Sequence, residues 1–294
     1  MAYHAGALRA LEQVGGVVSN EADLVIGTSA GSVVGAYLRS GWSTEDFWTM
    51  ALSDGQSGGV EEPFSMTVRS PLEFFRRGLG SAYVLGRSFV RLPTPPVPQI
   101  VQRVFPGGFF SMEQGRKRLR DELPEGWPAK PLWLVAVDIT SGRRVVLGRH
   151  RTPPPLPDAV MASCAIPGFF SPVRIGPLTL VDGGAHSTTN LDLSVSDGCD
   201  LIIGVAPMAF DTARLPDPLS QVVRRRPARS LAGEAALARR KGVEVLLLRP
   251  TPAEVRLHGV RFMRTDGLDR VAQAAYESTA RQLETDRFRR ALAA

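Results

Sequence analysis

Gly27-Thr28-Ser29-Ala30-Gly31 sets a serine between two glycines, directly after the short apolar run Asp23–Gly27 and before a helical pattern that ends near Ser40-Gly41. A G-x-S-x-G pattern carries chemistry in that strand-to-helix context, where it forms a nucleophile elbow. The glycines permit a tight, strained turn that lifts the Ser29 hydroxyl clear of the backbone, and the following helix N-terminus favours negative charge. Ser29 is then a candidate nucleophile toward a carbonyl carbon, with the Ala30 N–H as donor to the oxyanion that forms. A closely packed glycine turn without chemistry is the other reading of the same five residues.

A serine nucleophile needs a base, and the usual histidine has to come from His4, His150, His186 or His258. Only His186 stands near another suggestive group, Val181-Asp182-Gly183-Gly184. Asp182 ends the apolar run Leu178–Val181, the position at which α/β sheets carry their sites. A carboxylate of ordinary pKa, about 3.9, is a poor base, so Asp182 needs desolvation or a preorganised contact to serve as one. Alone, Asp-Gly-Gly also reads as a turn after a strand; joined to the Ser29 motif it supplies the second half of a pair.

The elements that must position these groups are legible as alternating patterns. Residues 3–14 have helical spacing, stopped by Gly15-Gly16. Leu132–Ile139, Arg144–Leu147, Leu178–Val181, Leu201–Val205 and Val243–Leu248 read as buried strands with helical stretches between many of them. The alternation predicts a mostly parallel sheet covered by helices. Leu268, Val271, Ala275, Thr279 and Leu283 predict one long closing helix that runs into the polar Asp286–Arg290 stretch. There is no internal repeat. Residues 54–111 stand apart, rich in Gly and Pro and carrying Phe64, Phe74-Phe75 and Phe109-Phe110; they read as an inserted cap, either an irregular loop region or a lid that contacts lipid. The whole chain, 1–294, is expected to be one domain with this insertion and a C-terminal helical region from about 219.

Composition narrows the classes. The 294 residues are 44% hydrophobic with a formal net charge of +6, which excludes disordered, collagen-like and coiled-coil proteins. Lys117, Lys130 and Lys241 are the only lysines among 35 basic residues, so arginine carries the charge. The run Arg224-Arg225-Arg226, with Arg229 and Arg239-Arg240-Lys241, reads as a solvated helix face or as contacts to anionic lipid headgroups; nucleic acid is not expected, because no aromatic interleaving accompanies the charge. Cys164 and Cys199 have neither disulfide-framework nor zinc-ligand spacing, so no metal site and a reducing, cytoplasmic compartment are expected. No run of about 18 apolar residues exists, so any membrane contact is expected to be peripheral. The N-terminal helix lacks the apolar core of a signal peptide.

The pair of motifs resembles the patatin-like phospholipase family, bacterial type, whose members use a serine in G-x-S-x-G and an aspartate in D-G-G/A as a dyad without histidine. The likeness extends further. Leu8-Arg9-Ala10-Leu11-Glu12 is similar to the family's first helix, Asp138–Arg143 to its strand and turn before the aspartate, and Ala162–Val173 to the loop preceding Asp-Gly-Gly; Asn190 follows as the family's downstream asparagine. The resemblance covers most of residues 3–206. It implies a three-layer α/β/α sandwich and a cofactor-free lipid acyl hydrolase acting on phospholipids or lysophospholipids. Ser29 is the nucleophile, Asp182 the base, the Ala30 N–H the oxyanion donor, and Gly27, Gly31, Gly183 and Gly184 the shaping glycines. Family members also carry a first strand and a glycine-rich oxyanion loop just upstream of the first helix. Met1 falls inside or just after that loop, so the natural start is expected upstream. Two alternatives are a Ser-His esterase or acyltransferase, and a family member that binds lipid or a partner without turnover.

Overall fold

The computed structural model describes residues 1–56, 66, 68, 70–89, 101, 104, 106–149, 153–195, 198–209, 218–258 and 266–293. Along the chain run α1 (Ala2–Gln13), β1 (Val25–Thr28), α2 (Ala30–Arg39), α3 (Thr44–Gln56), α4 (Pro71–Phe89) and α5 (Glu113–Glu122). Next come β2 (Leu132–Asp138), β3 (Arg143–Leu147), α6 (Leu156–Ser163), β4 (Val173–Ile175), β5 (Leu178–Asp182) and α7 (Asp192–Val195). The remainder is β6 (Leu201–Val205), α8 (Pro218–Arg240), β7 (Glu244–Leu248), α9 (Pro252–His258), α10 (Leu268–Leu283) and α11 (Asp286–Ala293). These elements form two compact units, one of Met1–Asp23, Gly41–Val60 and Ser187–Ala294, the other of Leu24–Ser40 and Glu61–His186.

The second unit holds both motifs and is built on β2, whose seven residues are all buried. On it, β1 pairs in parallel from Val25↔Leu132 to Thr28↔Val135. The other ladders are antiparallel: β2 with β3 from Leu134↔Leu147 to Asp138↔Arg143, β2 with β5 from Ala136↔Asp182 to Asp138↔Leu180, and β5 with β4. The α/β class holds, but the expectation of a mostly parallel sheet is corrected: this sheet is mixed. The reason lies in its connections. β3 follows β2, and β5 follows β4, across turns of a few residues with Gly142 and Gly176 at positive φ. Such short links join only antiparallel neighbours, whereas a parallel pair needs a long crossover.

Helices cover this sheet through apolar faces. α6 buries Leu156, Ala159, Val160, Met161 and Ala162 and packs on β2, β5 and α2. From α4, Val84 joins Val137, Ile139, Val181 and Ala185 in one cluster. The insertion expected over 54–111 therefore contains a 19-residue helix; its glycine pair at 58–59 and its prolines at 93–98 lie outside the described residues.

In the first unit, α1 packs along α10 so closely that a Cβ on Gly6 would lie 2.1 Å from the Ala272 carbonyl oxygen. That approach explains a glycine inside a helix. β6 and β7 form a parallel two-stranded sheet, backed by Leu231, Ala235 and Ala238 of α8. On α8, Arg225, Arg226, Arg229, Arg239 and Arg240 are exposed, while the side chain at 224 lies outside the described residues. The single closing helix expected from residue 268 is two: α10 stops at Leu283 and α11 begins at Asp286 with its acidic residue in the first turn, which favours a new helix start. No helix among the described residues is long and apolar enough to cross a membrane.

Candidate active site

Register on β2 brings the two motifs together. Thr28, the last residue of β1, pairs with Val135, and Asp182, the last of β5, pairs with the adjacent Ala136. The residue after Thr28 is Ser29, so the two chain segments end beside each other on one strand. There the Ser29 side chain acts on the Asp182 carboxylate and favours its charged form.

Ser29 sits between strand and helix at φ 55 and ψ −125, one of two described non-glycine residues with positive φ. Such a conformation costs about 1–3 kcal/mol and persists only where surroundings enforce it. The enforcement is visible. The Ser29 N–H donates to Ser163 Oγ at 3.1 Å, and Ser163 Oγ in turn donates to the Val135 carbonyl at 2.7 Å. The Ser29 carbonyl accepts the Ser32 N–H at 2.8 Å, the Ser32 hydroxyl at 2.6 Å and the Cys164 thiol at 3.3 Å. With both backbone groups of Ser29 held, its side chain projects from a fixed turn. Ala30 opens α2, so its N–H lacks an intrahelical acceptor, and among the described residues no hydrogen bond takes it up.

The glycines of the elbow answer to space. A Cβ at Gly27 would lie 2.6 Å from both the Gly31 carbonyl oxygen and Ser32 Cα. Gly27→Ala is therefore expected to destabilise the protein by about 1–3 kcal/mol through overpacking and to displace Ser29. Thermal unfolding beside the rate of ester hydrolysis checks this, and a fully active, equally stable variant would refute it. Gly183 is constrained in the same way, its Cβ position lying 2.4 Å from the Val135 carbonyl oxygen.

Asp182 is 4% exposed. Burial pushes its carboxyl up to about 6, opposed by the Ser29 side chain and by the Gly184 N–H, which donates to Oδ1 at 2.7 Å. The desolvation that the sequence demanded of a carboxylate base is present. Nearby Cys164 is no rival nucleophile: burial, together with the Asp182 charge, pushes its thiol up to about 12, and a protonated thiol is a weak nucleophile.

Of the histidines considered as bases, His150 and the side chain of His258 lie outside the described residues. The titratable group on which the Ser29 side chain acts is the Asp182 carboxylate. Asn190 closes a turn on Ser187, its Nδ2 donating to the Ser187 carbonyl at 2.5 Å and its N–H to Ser187 Oγ at 3.1 Å.

Two residues escaped the sequence reading. Ser163 orients the Ser29 backbone, yet a small polar residue ending an apolar helix gives no signal by itself. Asp138, noted only within a turn, is 3% exposed and accepts hydrogen bonds from Thr140 N–H and hydroxyl, Ser141 N–H and hydroxyl, and the Thr179 N–H. Burial works against its ionisation, but the bonds from Ser141 and Thr140 outweigh it and hold the carboxyl below its usual range. Asp138-Ile139-Thr140-Ser141-Gly142, an aspartate just ahead of Thr-Ser-Gly, is a turn signature that could have revealed this role. The carboxylate ties the end of β2 to β5, the strand that delivers Asp182.

A protein from Bacillus subtilis (strain 168), the uncharacterized protein YqhO, is 25% identical over 216 residues, which are 68% of this chain and 65% of that protein. The chain thus spans just under two thirds of that relative's length. The family model described as patatin-like phospholipase matches residues 1–194, which include the elbow, the buried aspartate and the strands that join them. A match over that share of the chain settles descent: the chain belongs to the patatin-like phospholipase family, whose members are lipid acyl hydrolases.

Proposed function

We propose that this protein hydrolyses fatty-acyl esters of phospholipids or lysophospholipids at a lipid surface, through a Ser29–Asp182 dyad. The supporting observation is that Ser29 and Asp182 follow and end strands at neighbouring registers on β2, with the buried carboxyl raised to about 6. A base of that strength is unprotonated at neutral pH, yet holds a proton far better than an ordinary aspartate. Ser29 Oγ attacks the ester carbonyl carbon as its proton passes to Asp182, and the carbonyl oxygen becomes an oxyanion facing the Ala30 N–H and the N-terminus of α2. Collapse breaks the bond to the alcohol, which leaves with the proton from Asp182. Water, deprotonated by the same carboxylate, then releases the fatty acid and restores the serine. The chemistry needs no cofactor, and the three-layer α/β/α arrangement implied by the family belongs to this reading.

The test is release of free fatty acid from phospholipid vesicles, with hydrolysis of a soluble short-chain ester alongside. Ser29→Ala is expected to reduce both by more than about 10⁴-fold, as removal of a nucleophile does in serine hydrolases. Release that is insensitive to Ser29→Ala would overturn the proposal.

A further inference from the structure

α4 is amphipathic with its polarity reversed. An ordinary surface helix turns its apolar stripe to the core. Here the inner face buries Ser81, Arg87 and Ser88 beside Val84. Those polar groups are used inside: the Arg87 Nε donates to the Ile139 carbonyl at 2.8 Å, Ser88 Oγ to the Val84 carbonyl at 2.7 Å, and Ser81 Oγ accepts the Gly108 N–H at 2.9 Å. The outer face repeats Leu72, Phe75, Leu79, Ala82 and Leu85 at helical spacing, with only Gly78 and Gly86 interleaved. Leu72 is 66% exposed, Phe75 61%, Leu79 47% and Leu85 40%; Phe74, although it touches the Phe109 ring, is 60% exposed. Scattered apolar residues on a surface need no explanation, but a continuous face without a charge does.

Charge identifies what covers it. Between Met66 and Phe110 the sequence holds six arginines, of which Arg87 is used inside, against Glu73 alone. Arg76 borders the apolar face with its guanidinium fixed, Nε on the Val104 carbonyl at 2.7 Å, while Arg77, one turn before Ser81, lies on the inner side with Nη1 on the Gly108 carbonyl at 3.0 Å. A second copy of the chain would press like charge against like. An anionic lipid surface satisfies both halves, acyl chains receiving the apolar side chains and headgroup phosphates the arginines. The inner face of the same helix packs on Val181 and Ala185, which flank Asp182, so docking there brings lipid to the element that supports the dyad.

We infer that α4 is the interfacial docking helix of this protein, with Leu72, Phe75 and Leu79 entering the acyl region of an anionic membrane and Arg76 meeting its phosphates. The inference deepens the hydrolase reading by naming the surface that presents the substrate. It is tested by co-sedimentation of the intact Ser29→Ala chain, which binds without consuming lipid, with vesicles of phosphatidylcholine alone or mixed with phosphatidylglycerol. Binding is expected to favour the mixed vesicles and to weaken with added salt. Adding Phe75→Glu and Leu79→Glu is expected to lower it at least about tenfold, while Leu237→Glu, the same change at an exposed residue of α8, leaves it within about twofold. In a separate chain carrying Phe75→Trp, the new indole is expected to shift its emission to the blue and become shielded from iodide on mixed vesicles.

Absence of vesicle binding, equal binding by the double Glu variant, or an unshifted indole would overturn the docking role. So would a concentration-dependent dimer dispersed by Phe75→Glu and Leu79→Glu, which would make the face a self-association surface. Vesicle binding without Ser29-dependent ester hydrolysis would sustain the docking helix and overturn the hydrolase reading. Ser29-dependent hydrolysis without binding would do the reverse.

Discussion

Asp182→Asn is expected to lower acyl-ester turnover by about 10²–10⁴-fold, the usual contribution of a general base, while making the protein more stable at neutral pH. Both effects follow from burial. The carboxyl is raised from 3.8 to about 6 in the folded chain, so between those pH values the folded state binds a proton that the unfolded state has released. Stability from this group therefore falls as pH rises through that window, and the penalty is fully present above about 6, at roughly 3 kcal/mol by linkage. Asparagine carries no charge to desolvate, and its carbonyl can still accept the Gly184 N–H that now bonds Oδ1.

The thermal midpoint of Asp182→Asn at pH 7 should thus exceed that of the unmodified protein by several degrees, and the gap should shrink toward pH 4. In the unmodified protein, kcat/KM should fall tenfold per pH unit below about 6, as the Asp182 carboxylate becomes protonated. A variant that loses activity and is also destabilised at pH 7 would contradict the account, because it would make Asp182 a structural carboxylate rather than a strained base.

The same isosteric change at Asp138 is expected to act in the opposite direction. Both of its carboxylate oxygens accept hydrogen bonds, Oδ1 from the Thr140 and Thr179 N–H groups and Oδ2 from Ser141 N–H and the Thr140 and Ser141 hydroxyls. An amide must turn its NH₂ toward one of these sets, setting donor against donor, and each buried group left unsatisfied costs about 1–3 kcal/mol. Asp138→Asn is therefore expected to destabilise the protein by about 2–4 kcal/mol, read from denaturant unfolding at pH 7.

Because its carboxyl is held below the usual range, the stability Asp138 supplies is present above the unfolded value of 3.8 and is lost as pH falls through the lower folded value. Activity should decline with it as the tie between β2 and β5 loosens. An Asp138→Asn variant as stable as the original would show that the turn does not depend on the charge. The contrast between two buried aspartates, one stabilised and one destabilised by the same substitution, separates a carboxylate kept for its basicity from one kept for its hydrogen bonds.

The features legible in the residues alone are local ones. The elbow around Ser29 is legible because its requirements are short-range: a brief apolar run, a glycine at 27 where a Cβ would strike backbone at 2.6 Å, and a helix start. The Asp-Gly-Gly turn ending β5 is legible for the same reason. Strand direction was not, since a buried apolar run looks alike in parallel and antiparallel ladders, and the mixed sheet emerges only from how β2 collects β1, β3 and β5.

Tertiary structure also decided that Ser29 and Asp182 meet, because neighbouring registers on Val135 and Ala136 are a property of pairing between distant segments. It decided the basicity of Asp182 as well, since desolvation is a sum over everything packed around a group. The region 54–111 shows the limit most sharply. Its composition suggested an irregular cap, yet only the packing of α4 revealed a helix that spends its polar side chains inward and leaves its apolar face to the outside. Periodicity identifies two faces of a helix, but which one is buried depends on what the rest of the chain offers to each.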